Sequence, residues 1–238
     1  MSERYTLFQP EGDDKKPVPI VDKWATNLPL EAIDALAIDE PLTFVVTQGK
    51  DLYGVQVAKT IDNTYPAMPE HGLQFVAITP QGPIPEYKMN ATIAPAIDGP
   101  GFQMRFNVRT RIDGELYPPF NAGIFLPWAF RFYSRQHDIQ TLTAEWRGEN
   151  DSINFEQYLL GLRKKFKGNR VMAAQNTWTG KQFKKLGFGV VSAIREFSAE
   201  RIAELSGGGV DVDMAYIDFK RKLTQPRIVS TAPWSEVK

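Results

Sequence analysis

Residues 101–117 read GFQMRFNVRTRIDGELY, and they decide the class of fold. Phe102, Met104, Phe106 and Val108 alternate with Gln103, Arg105, Asn107 and Arg109. A period of two puts each set on its own face of a strand, so an apolar face meets a core and a polar face looks outward. Asp113-Gly114 then supplies a two-residue hairpin turn. The same alternation places Arg105 and Arg109 together as a weak candidate anion-binding pair, although one face of an antiparallel sheet is ordinarily polar.

Working outward, β signals dominate upstream. PLTFVVTQGKDLYGVQVAK (41–59) is two β-rich runs around a turn, and GLQFVAI (72–78) and YKMNATIA (87–94) follow. The Pro/Gly-rich TPQGPIPE (79–86) between them cannot continue a central strand. LPLEAIDALAID (28–39) predicts a short helix opened by Pro29. Downstream, FLPWAFRFYSRQ (125–136) fits both periods, and Pro127 with the Trp128–Phe132 pair favours helix. DIQTLTAEW (138–146) reads as a strand.

Beyond 146 the period becomes helical. Phe155, Tyr158, Leu159, Leu162 and Phe166 form one apolar stripe, closed by Arg163-Lys164-Lys165 and Gly168. Residues 170–186 predict a second helix ending at Gly187. FGVVSAIREF (188–197) and VDVDMAYIDFKRK (210–222) predict strands, with a short helical SAERIAELSGGG between them. The expected class is α+β: a β-rich antiparallel part over 29–146, packed on a small module of two helices and two strands over 147–222. Residues 1–28 read as a polar arm and 223–238 as a tail.

Composition narrows the chemistry. The 238 residues are 42% hydrophobic and 24% charged, as in an ordinary globular protein. No apolar run reaches the length of a membrane span, and the N-terminus lacks the apolar centre of a signal peptide. The expected location is the cytoplasm, or outside the cell by export without a cleaved signal. There is no cysteine, and His71 and His137 have no zinc-ligand spacing, so no metal is expected. No P-loop, nucleophile elbow or His-Glu-x-x-His occurs. Net charge is zero, yet residues 1–150 are acidic and 151–238 basic. The basic cluster has a helix-terminus explanation, so a protein or small ligand is the expected partner rather than nucleic acid.

One stretch departs from a packing helix: AAQNTWTGKQ, residues 173–182. Asn176, Thr177, Thr179 and Gly180 all disfavour a helix interior, together by ~2 kcal/mol. The Asn and Thr side chains can bond local backbone groups, Gly180 permits close approach of another segment, and Trp178 adds apolar area with one N–H donor. Two readings follow: a kinked helix, or a small polar site built from Asn176, Thr177, Trp178, Thr179 and Lys181 near Trp146, Asn150 and Asn154.

The order of Trp146, Asn150 or Asn154, Phe155, the Thr-Trp-Thr-Gly element, Gly187-Phe188 and a closing strand resembles a C-terminal module of bacterial polymorphic toxins and effectors. That resemblance covers residues 140–222 and brings no catalytic residues with it. It implies a partner- or ligand-binding protein with no assigned reaction and no cofactor. NTWTGKQFKKLGF (176–188) also resembles the closing pattern of the GCN5-type N-acetyltransferases. That alternative implies a divergent coenzyme A-dependent N-acyltransferase, with 171–175 a strand beside a parallel neighbour, 177–186 a helix, and a final hairpin. Two features depart from the family. RGENDS (147–152) and KFKGNR (165–170) lack its Gly-x-Gly/Ala phosphate loop, and Phe183 stands where a tyrosine often protonates the leaving thiolate.

Overall fold

The computed structural model describes residues 20–22, 30–48, 51–62, 70–79, 82–96, 99–109, 111–112, 115–116, 122–148, 153–198 and 213–221. In chain order these form β1 (Ile20–Asp22), α1 (Leu30–Ala35), β2 (Pro41–Gln48), β3 (Asp51–Asp62), β4 (Glu70–Thr79), β5 (Gly82–Pro95) and β6 (Phe102–Arg109). Then come β7 (Arg111–Ile112), β8 (Glu115–Leu116), α2 (Ala122–Ser134), β9 (Ile139–Arg147), α3 (Ile153–Leu160), one π-type turn over Gly161–Lys165, α4 (Arg170–Asn176) and α5 (Trp178–Lys185). β10 (Val190–Phe197) and β11 (Met214–Lys220) end the described chain. The protein is α+β. The expected short helix after Ser198 and the 223–238 tail lie outside the described residues, as do most of 1–28.

A nine-stranded sheet runs β1-β2-β3-β4-β5-β6-β9-β11-β10. β2 to β6 form an antiparallel meander, each strand paired with the next. Gln48 pairs Asp51 across a two-residue loop, and Arg111 pairs Leu116 across Asp113-Gly114. β5 extends back through Pro83 and Pro85, in the stretch that the sequence reading kept out of a central strand. β6 covers only Lys88–Pro95, so the prolines sit where β5 has a neighbour on one side alone. Ile20–Asp22, read as part of an arm, adds a parallel edge strand to β2.

β6 then runs parallel to β9, with α2 as the crossover that a parallel connection requires. β11 pairs antiparallel with β9 and β10 with β11. The strands expected for a separate C-terminal module therefore continue the same sheet. Three helices, not two, precede them, because the predicted helix 170–186 is divided at Thr177.

One face of this sheet holds the core. Met104, Phe106, Leu142, Ala144, Ile217 and Phe219 are in register across β6, β9 and β11, and all are buried. Phe102 and Val108 are partly buried against the same cluster, so the alternation at 101–109 has the expected register. α2 covers the meander with Phe125 stacked on Phe75 at 5.0 Å and Trp128 against Phe44 at 5.8 Å. α5 covers the other half through Phe183, which lies 6.2 Å from Phe106 and 5.2 Å from Phe219. Each fully buried aromatic of this kind contributes several kcal/mol, and Phe→Ala at such a site costs ~3–5 kcal/mol.

Candidate functional site

The junction of α3, α4 and α5 contains most of the residues singled out from sequence. Thr177 caps α5: its Oγ1 accepts from the Gly180 N–H at 3.0 Å and donates to the Ala174 carbonyl at 2.8 Å. Asn154 Oδ1 accepts from the Thr179 N–H at 2.8 Å, and Gln157 Oε1 from the Trp178 N–H at 2.9 Å. A helix start leaves its first N–H groups without intrahelical acceptors, and here three of them are answered by side chains. Asn176 turns back to the Met172 carbonyl at 2.8 Å. A Cβ on Gly180 would stand 2.3 Å from the Ala174 carbonyl oxygen, so close approach of the two helices demands glycine here.

Thr177, Thr179 and Asn154 are buried, Trp178 and Asn176 are half-buried, and Lys181 is exposed. Asn150 lies outside the described residues. The Thr-Trp-Thr-Gly element is thus a break between two helices in which the disfavoured residues make the bonds that end one helix and start the next. Residues 171–175, which the acetyltransferase resemblance makes a strand, lie inside the helix α4 with Asn169 as its N-cap. The reason is local: Ala173 and Ala174 pack inward while Asn169 Oδ1 accepts from the Met172 N–H.

Trp146 is separate from that junction. It ends β9, 3% exposed, with its ring 5.6 Å from Tyr158. Its Nε1 is buried and has no hydrogen-bond partner among the described residues. Such an orphan donor costs about 1–3 kcal/mol unless something accepts from it. Beside it, Tyr158 donates to Glu196 Oε1, and Arg170 Nε bonds Glu196 Oε2 at 3.0 Å. Burial, the bond to Glu196 and the Glu196 charge raise the Tyr158 phenol well above its ordinary range, while Arg170 opposes them.

β6 and β9 pair only from Phe102↔Ile139 to Phe106↔Ala144. β6 continues to Arg109 and β9 to Arg147, beyond the last position paired between them. Glu145, its side chain nearly buried, stands at the same end with Arg147 bonded to it at 2.9 and 3.0 Å.

The opposite sheet face carries a different polar chain. Gln103 Nε2 donates to Thr143 Oγ1 at 2.8 Å, and Thr143 donates to Asp218 Oδ1 at 2.6 Å. Arg195 holds Asp218 by 2.8 and 3.0 Å contacts. Arg105 pairs with Glu70 at 3.2 Å and lies over the Tyr216 ring, so its charge is already met. The Arg109 side chain lies outside the described residues. Among the described residues no group of acidic or histidine side chains has metal-binding geometry. No described helix is long and apolar enough to cross a membrane.

No known protein family matches the chain, and neither a curated protein nor a solved structure is detectably similar to it.

Proposed function

We propose that the chain is a ligand-binding protein of the N-acyltransferase kind, taking a coenzyme A thioester at the carboxyl ends of β6 and β9. The buried Trp146 indole N–H, which has no partner among the described residues, carries the reading. Coenzyme A joins a phosphorylated nucleotide to an extended arm with two amides, ending in the thiol that bears the acyl group. Amides can bond to unpaired strand backbone as an added strand would. The Trp146 indole N–H can donate to a carbonyl of the arm. The family resemblance agrees in two respects: a last helix followed by Leu186-Gly187-Phe188, and two closing antiparallel strands. It differs in a third, since the strand it implies at 171–175 is helix.

The toxin-module resemblance led to the same broad role, binding, but through residues now seen bonded to one another. Coenzyme A and acetyl-coenzyme A should each raise the melting temperature of the full chain, because a ligand of the native state must stabilise it. Calorimetry should give one site, weakened in Trp146→Phe. No thermal shift and no binding heat at millimolar coenzyme A would overturn the acyltransferase reading. A binding module of unassigned partner would then remain.

A further inference from the structure

The chain from Gln157 to Arg195 contains nine Lys and Arg residues and no Asp or Glu. Four of the nine, Arg163, Lys164, Lys165 and Lys167, fall in the turn between α3 and α4, and all four are exposed. Among the described residues no carboxylate pairs with any of them. The same tip exposes aliphatic side chains: Leu160 is 51% exposed, Val171 43% and Met172 42%. They flank the buried contact that closes the tip, where Gly161 packs against Ala173. Lys167 is held in the left-handed region at φ 47°, which residues other than glycine and asparagine seldom adopt.

We propose that this tip docks on an anionic lipid surface, with the four cations among headgroups and Leu160, Val171 and Met172 in the acyl boundary. Two independent features choose this occupant. An unpaired cluster of Lys and Arg is attracted to the negative potential of an acidic leaflet. Exposed aliphatic side chains beside it gain from leaving water for the interface, which is how amphipathic surface helices bind. A nucleic acid would use the cations but not the aliphatics; stacking on bases calls for exposed aromatic rings, and the tip's one aromatic, Phe166, is half-buried with Lys165 over it.

Co-sedimentation of the full chain with vesicles tests this, using pure phosphatidylcholine against a mixture with 30% phosphatidylserine at about 0.15 M salt. Binding should require the anionic lipid and weaken in high salt. Each lysine neutralised should weaken it about fivefold, so Lys164→Gln with Lys165→Gln should lose ~30-fold. Val171→Ser with Met172→Ser should also lose several-fold at unchanged charge, and both variants should keep the parent melting temperature, since the sites are exposed. Absence of binding, equal binding to neutral vesicles, or full binding by either double variant would overturn the proposal. So would binding of an oligonucleotide with the vesicles ignored, which would make the patch a nucleic-acid surface.

Discussion

The α3–α5 junction and the end of β9 differ in how completely their polar groups are used. At the junction, the N–H groups of Trp178, Thr179 and Gly180 each find a side-chain acceptor. At the end of β9, the buried Trp146 donor has no partner among the described residues. The unusual residues of Thr-Trp-Thr-Gly answer one another's backbone, and the plain end of an ordinary strand offers unspent bonding capacity. Unusual composition marks where the backbone needs help; unsatisfied groups mark where a ligand could help it.

The largest expected effect breaks the junction outright. Gly180→Ala drives a Cβ into the Ala174 carbonyl, and neither helix can yield without moving the other. A loss of about 3 kcal/mol, the upper end for overpacking, should appear as a lowered denaturant midpoint. A fully stable Gly180→Ala protein would show that the helices are not held this closely.

Asn154→Ala comes next. It leaves the buried Thr179 N–H without an acceptor, which should cost about 2 kcal/mol. Coenzyme A binding should survive in the folded fraction, since this asparagine belongs to the junction. Loss of binding without loss of stability would return the site to the Thr-Trp-Thr-Gly stretch.

Trp146→Phe inverts that pattern. Removing an unpartnered donor offsets part of the lost packing, so stability should change by no more than about 1 kcal/mol. The thermal shift produced by coenzyme A should shrink. An unchanged shift would separate Trp146 from the ligand and remove the observation that carries the site.

The smallest effect is absent at neutral pH. Tyr158 and Tyr133 both have phenols raised above their ordinary value, chiefly by burial. A raised acid keeps its proton longer in the folded state, so its stabilisation is full below about pH 10 and is lost as pH rises further. Tyr158→Phe should flatten part of that alkaline loss in a pH series of melting curves. An equal slope in the variant would assign the loss to Tyr133 and other groups.

Much of the fold was legible in the chain because it follows from local rules. The alternation at Phe102–Val108, the Asp113-Gly114 turn and the Phe155–Phe166 stripe each report a period or a turn preference that neighbouring residues set. Even the disturbance at 177–180 was visible, since Thr and Gly cost helix wherever they stand. What those residues do was not visible, because the partners of Thr179 and Trp178 are Asn154 and Gln157, more than twenty positions away. The sequence also could not tell that β9 lies parallel to β6 or that β11 enters between β9 and β10. Strand order depends on how α2 and α5 fill one shared core. Side-chain period states which face a strand buries and is silent about which strand lies beside it.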